Sequence, residues 1–353
     1  MISKVHPGNF FEDFTIGMTF RHATPRTLTE GDRSLYIGLT GTRSVLGTAE
    51  TNSAALGLDR RPMDDLLVFN IAFGKTVADI SLQARGNLGY ADVRFLDHVY
   101  DGDTLSVEST VIGLKENSSG ETGVVYVRST ARNQLGRDVL TWIRWVMIAK
   151  KDTATPCPIA IVPDLPSSVA IKDLGAKVFG PGARNIADLT NRSTYWEDYE
   201  PGERLDHILG VTLYQSDHSI ATRLYQNNAR GHFDGVLMNG RPLIYGGHIM
   251  SVANAIAYDG LENSLGLLAI NGGTHVAPTW SGDTIRCATH VLDRLDFGDA
   301  DVGALRLRTI VAKNIDSALQ IAFPDCSGGR ARHENSVVLD LDYTLAFPKR
   351  PAA

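Results

Sequence analysis

Cysteine is scarce in this 353-residue chain: Cys157, Cys287 and Cys326 are an odd number at wide spacing. That excludes a disulfide framework or a paired-cysteine zinc site as the basis of the fold. No stretch approaches the roughly 18 uninterrupted apolar residues of a membrane helix, and Met1–Phe11 has no apolar leader core. A reducing, cytoplasmic setting without membrane attachment is the expectation. Positive charge is not in excess, with 34 Lys and Arg against 40 Asp and Glu, which argues against nucleic acid or an anionic membrane as the partner of the whole surface. The ten histidines are scattered without His-Glu-x-x-His spacing, and no carboxylate run forms a calcium loop. Gly246-Gly247 and Gly272-Gly273 lack the Lys-Ser/Thr of a phosphate loop. Neither a metal nor another cofactor is called for. Trp142 and Trp145, among apolar neighbours on a strand, read as core rather than as a stacking platform for bases.

What is present is enough apolar residue, 43%, for a sizeable core, and an internal repeat of about half the chain. Glu12-Asp13-Phe14-Thr15-Ile16-Gly17 returns as Glu197-Asp198-Tyr199-Glu200-Pro201-Gly202, and Thr27-Leu28-Thr29-Glu30-Gly31-Asp32 as Thr212-Leu213-Tyr214-Gln215-Ser216-Asp217, both at an offset of 185. Phe73-Gly74 aligns with Gly246-Gly247 at 173, and Asp101-Gly102-Asp103-Thr104 with Ser281-Gly282-Asp283-Thr284 at 180. The Gly-Asp-Thr segments read as turns that open strands. Ile249, Val252, Ala253, Ile256 and Ala257 have helical spacing behind the glycine pair. A shorter counterpart is expected after Gly74, with Val77, Ile80 and Ala84.

Alternating strands follow in both halves: Leu105, Val107, Ser109 and Val111, and Ile285, Cys287, Thr289 and Val291. Val139, Thr141, Ile143, Trp145 and Met147 close the first half; Val337, Leu339, Leu341, Tyr343 and Leu345 close the second. A lone long helix must bury its apolar face on the sheet. The expected fold is therefore α+β, a double hotdog of two tandem units, each an antiparallel sheet wrapped around a central helix. The boundaries read as 1–151, a linker over 152–191 carrying Pro156, Pro158, Pro163, Pro166 and Pro181, and 192–353. A second irregular insertion, Phe323–Asn335, holds Pro324, Cys326, Gly328 and Gly329 and reads as a surface loop.

The second repeat carries Gln226-Asn227-Asn228-Ala229-Arg230-Gly231-His232-Phe233-Asp234 and Leu243-Ile244-Tyr245-Gly246-Gly247-His248. These segments resemble the MaoC-like, (R)-specific enoyl-CoA hydratases and dehydratases, whose Gly-Asp-x-Asn-Pro-Leu-His motif pairs an aspartate with a histidine five residues on. The likeness runs from about Phe10 to Phe347 outside the linker. It implies that His232 is the family histidine, that Asn227 stands in place of the aspartate, and that Gly247 supplies the oxyanion-hole amide. In the first repeat, Thr42 and Gly47 stand where the aspartate and histidine would be, so one active site per chain is expected. Length and the altered motif most resemble the branch acting on the C1 thioester of mesaconate. That likeness implies reversible hydration of 2-methylfumaryl-CoA to 2-methylmalyl-CoA.

The residue types suit that chemistry. Hydrating an enoyl thioester puts negative charge on the thioester oxygen and moves a proton from water to carbon. A glycine amide at a helix start meets the first need, and a histidine that titrates near neutrality meets the second. Asn227 only orients, and Asp234 is a second-rank source of a carboxylate. Tyr225, Gly246 and His248 are expected to line the pocket, with His218 as a weaker candidate. Arg230, then Arg223 and Arg241, are the candidates for the substrate's free carboxylate. A CoA-thioester substrate and a homodimer complete the expectation. Another enoyl-CoA (the C4 isomer or an (R)-3-hydroxyacyl-CoA), a hotdog thioesterase, and an inactive acyl-CoA binder remain alternatives.

Overall fold

The computed structural model describes residues 4–351 except 158–159, 175–176, 178, 180–181 and 325–331. Pro158, Pro181, Cys326, Gly328 and Gly329 therefore lie outside the described residues. The first half runs β1 (Thr19–Thr27), α1 (Glu30–Thr40), the short α2 (Val45–Thr48) and α3 (Glu50–Ala55), and α4 (Asp65–Lys75). It continues with β2 (Ala84–Phe95), β3 (Thr104–Glu116), β4 (Thr122–Arg132) and β5 (Asp138–Ala149). After one turn of helix, α5 (Ala187–Thr190), come β6 (Arg204–Asp206), β7 (Val211–Thr212), α6 (Gln215–Leu224) and α7 (Gly246–Ile256). The strands β8 (Gly266–His275), β9 (Thr284–Leu295), β10 (Val302–Lys313) and β11 (Val337–Pro348) end the order.

All strands join one antiparallel sheet in the order β1-β3-β4-β5-β2-β8-β11-β10-β9-β6, with β7 also on β9. The halves meet where β2 pairs with β8, and Ala91 faces Gly272 in the middle of that seam. Those two positions are 181 apart, as are the first residues of α4 and α7 (Asp65 and Gly246). A pseudo-twofold axis thus passes between Ala91 and Gly272, and the sheet wraps around two central helices that touch each other. Asn70 of α4 donates to the Gly247 carbonyl (3.2 Å) and to Ser251 of α7 (3.0 Å) across this axis.

Two readings of the sequence are corrected. The central helix of the first half lies before Gly74 and not after it: every residue from Leu66 to Gly74 is buried and all but Asn70 are apolar, so the run has no stripe to read. Val77 and Ile80 sit in a π-turn, and Ala84 opens β2. Matching glycine to glycine shifted the register, because the two glycines do different work. Gly246-Gly247 opens a helix, whereas Gly74, near the end of α4, lies against the backbone of Tyr225–Asn227, where a Cβ would overlap the Tyr225 carbonyl oxygen. Gly74→Ala is expected to cost about 1–3 kcal/mol by overpacking, read as a lower denaturation midpoint, and to displace the loop after α6.

The core face of β5 is the other one. Leu140, Trp142, Arg144, Val146 and Ile148 are buried; of the expected set Val139 and Ile143 are buried too, while Thr141, Trp145 and Met147 are half-buried. Trp142 packs edge-on to Phe69 of α4, whereas Trp145 stacks on Tyr126 on the outer face. A buried arginine breaks the apolar alternation here and hides the inward face. Arg144 lies over the Phe73 ring (4.2 Å) and donates to the Thr76 and Ser81 hydroxyls beyond the C-terminal end of α4, where a helix favours a cation. Burial brings its pKa down to about 10.

Candidate active site

The segment after α6 is held from behind by both halves. The Tyr225 amide closes α6, Gln226 adopts a left-handed φ of 53°, and the buried Asn227 donates its backbone N–H to the Thr222 carbonyl. Asn227 Oδ1 accepts from the Ala229 amide (3.1 Å), which stiffens the loop and leaves the side-chain NH2 as the donor to its surroundings. Lys75 at the end of α4 bonds the Gln226 side chain, and Arg26 of β1 bonds the Leu224 carbonyl.

One turn later, His232 Nδ1 lies 2.7 Å from the Leu243 carbonyl. A carbonyl only accepts, so Nδ1 carries the proton and Nε2 presents a lone pair. Burial lowers the His232 pKa, partly opposed by that bond. Three further histidines surround it. The His218 ring lies 5.7 Å away and its Nε2 accepts from the Tyr245 amide (3.0 Å); burial, with His232 and His248 nearby, pushes its pKa down to about 3. His248 in the first turn of α7 is pushed to about 4 by burial, as is His275 at the end of β8, where His232 adds repulsion. Tyr245 packs on His232 (5.4 Å) and Tyr225 on Tyr245 (6.0 Å).

The start of α7 is open. Its N-cap, Tyr245, makes no side-chain cap bond, and the Gly246 and Gly247 amides have no acceptor among the described residues. These amides and the helix dipole point at whatever anion sits there. In the first repeat the same place is closed. Asp64, at the position of Tyr245, accepts from the Leu66 amide, the counterpart of Gly247 (2.9 Å), and burial raises its carboxyl to about 6. Asp65, at the position of Gly246, is ion-paired with Lys177 and accepts from the Leu267 amide (2.8 Å). Arg33, at the position of His218, donates to the Pro62 and Gly47 carbonyls (2.6 and 3.4 Å), the counterparts of Leu243 and His232. A carboxylate and a guanidinium of the chain itself occupy in one repeat what the other leaves free. The cleft beside them, lined by Thr42, Arg43, Asp64, Asn254 and Tyr258, retains none of the histidines at 218, 232, 248 and 275.

The structure therefore brings together Asn227, His232, Gly246, Gly247, His248 and His218. Tyr225 is fully buried behind Tyr245 rather than at an open surface. Asp234 accepts from the Leu237 amide in its own turn (2.9 Å). Arg223 and Arg230 are exposed, and Arg241, also exposed, lies over the Trp280 ring. His275 was not legible. It lies 43 residues beyond His232 on a strand, and only the absent Cβ of Gly246 makes room for its ring.

A family model described as mesaconyl-CoA hydratase matches residues 3–159. The chain is 47% identical to the β-methylmalyl-CoA dehydratase of Chloroflexus aurantiacus over 99% of this chain and all of the other. It is 44% identical to the mesaconyl-CoA hydratase of Cereibacter sphaeroides over 98% and 100%. The chain belongs to the mesaconyl-CoA hydratase family. Family membership accords with the solved structures. A MaoC-domain dehydratase of Chloroflexus aurantiacus superposes with a TM-score of 0.93 at 47% identity, covering 99% of this chain and 100% of that one. A Mycobacterium tuberculosis protein described as a double hotdog superposes at 0.77 with 26% identity, covering 97% and 99%. The double-hotdog α+β fold expected from the repeat is the fold of this mesaconyl-CoA hydratase family member.

Proposed function

We propose that this chain is a hydro-lyase that reversibly adds water to 2-methylfumaryl-CoA to form 2-methylmalyl-CoA, at one site per chain. The observation that carries this reading is the open Gly246-Gly247 helix start beside a histidine whose Nε2 lone pair is free, in one repeat only. The water oxygen bonds to C3 of the enoyl thioester while His232 Nε2 takes the water proton. The C2=C3 electrons move to the thioester oxygen, which is held by the Gly247 amide with Gly246 beside it. His232 then returns the proton to C2, the thioester is restored, and the double bond has become a single bond bearing OH and H.

Asn227 orients water or substrate through its side-chain NH2, and Asp234 ranks behind it because its carboxylate is engaged in its own turn. Arg230 is the first candidate for the substrate carboxylate. Arg230→Ala is then expected to raise the KM for the dicarboxylic substrate about tenfold or more, the size of a lost charge-assisted bond; an unchanged KM removes this assignment. Exposed Phe233, Val236 and Leu237 beside the site support a homodimer, which sedimentation velocity measures, and the low cysteine content supports a cytoplasmic setting.

The test is turnover of 2-methylfumaryl-CoA. Loss of the enoyl-thioester absorbance without release of free CoA thiol supports the hydratase. Thiol release would favour a thioesterase, and neither change would favour a binder.

A further inference from the structure

The geometry points to His275 as a third donor of the oxyanion site, a side-chain N–H beside the two glycine amides, held in place by Tyr90 of the opposite repeat. This inference rests on the hydratase reading for its chemistry. Tyr90 Oη and His275 Nε2 are 2.9 Å apart across the β2–β8 seam. The Tyr90 hydroxyl is buried, has no other partner among the described residues, and keeps its proton, because burial raises its pKa. It therefore donates, Nε2 accepts, and neutral His275 bears its hydrogen on Nδ1. The Cε1 edge of the ring, with a nitrogen on either side, lies against the first residue of α7: a Cβ on Gly246 would overlap Cε1 and fall 2.5 Å from Nε2 and 2.6 Å from Nδ1. Gly246 thus opens the helix start and also admits the imidazole. Nδ1 makes no hydrogen bond among the described residues.

His232 and His275 are locked in complementary states. His232 donates Nδ1–H to the Leu243 carbonyl and offers a lone pair, whereas His275 receives the tyrosine hydrogen and offers an N–H. The pseudo-twofold axis supplies a control. The positions equivalent to His275 and Tyr90 are Arg94 and Asn271, which make no bond to each other: Arg94 pairs with Asp92 (2.7 Å), and Asn271 donates to Asp342 and Thr344. The pair exists only on the side where the helix start is open. Charge developing on the thioester oxygen would then meet two amides and one imidazole N–H, with no cation to bind the ground state and product as tightly.

The experiment compares His275→Ala, His275→Asn and Tyr90→Phe with the wild type, and reads polarisation of the bound substrate. With 2-methylfumaryl-CoA, His275→Ala is expected to lower kcat about 10²–10³-fold, the loss found for one oxyanion donor, with KM changed only a few-fold. His275→Asn places an amide N–H where Nδ1 stood and is expected to recover part of kcat; Tyr90→Phe is expected to lose about tenfold. In a His232→Ala background, where bound substrate is consumed slowly enough for its spectrum to be read at early times, the enoyl-thioester absorbance should shift to longer wavelength on binding, and the shift should vanish in His232→Ala/His275→Ala. An unchanged kcat in His275→Ala, a shift that persists in the double variant, or no shift in His232→Ala would overturn the inference. Lack of turnover in the wild type would overturn the hydratase reading alone, because the shift is read on binding. Should His275→Ala not fold, judged by near-UV circular dichroism, His275→Asn and Tyr90→Phe decide by the same measurements.

Discussion

In His232→Ala, kcat for hydration of 2-methylfumaryl-CoA is expected to fall about 10²–10⁴-fold, the usual worth of a positioned general base, while binding of the thioester changes little. The reason is geometric. Nδ1 is committed to the Leu243 carbonyl, so only Nε2 can take the water proton. Asn227 cannot replace it, since an amide does not exchange protons as a base near neutrality, and Oδ1 already accepts from Ala229. The same residue sets the pH profile. Hydration needs neutral His232, and burial lowers its pKa below 6.5. The hydration rate should therefore hold through pH 6.5 and drop only at more acid pH, where protonation removes the lone pair. A His232→Ala enzyme that keeps its kcat, or an acid limb above pH 6.5, would contradict the assignment.

Acid should also unfold this protein through the same cluster. His218, His248 and His275 have pKa values pushed to about 3, 4 and 4 by burial, against about 6.5 in the unfolded chain. Between those limits the unfolded state binds more protons than the folded one, so stability falls as pH drops from 6.5 towards 4. Each group costs about 2 kcal/mol at pH 5 relative to pH 7.5. Three such terms are a large share of a marginal folding free energy. Denaturation midpoints measured from pH 7.5 to 5 should decline steeply, and His218→Gln should flatten the decline. Midpoints independent of pH over that range would show that the cluster is not sealed from water.

Much of the architecture was visible in residue order. The repeat, the helix behind Gly246-Gly247 and the alternation in β3, β9 and β11 come from local periodicity, which needs no knowledge of neighbours. The helix of the first half was misplaced because α4 is buried on all sides and its terminal glycine answers to a loop about 150 residues away. The inward face of β5 was misread because Arg144 sits among its apolar residues. Asn227, His232 and Gly247 could be put forward as candidates because they lie on one short stretch and its adjacent helix start, where the family resemblance reads them.

Residue order alone shows that one fold is copied twice and that the titratable pattern is kept in only one copy, since both are patterns along the chain. How the first copy differs at the same place is visible only in three dimensions. Asp64 caps its own helix start and Arg33 fills the place of the histidines, both through contacts between residues far apart in the chain. The tertiary structure also joins His275 and Tyr90, 185 residues apart, across the central seam. A sheet that closes around two helices sets side chains together by register and burial, and neither is a property of sequence spacing.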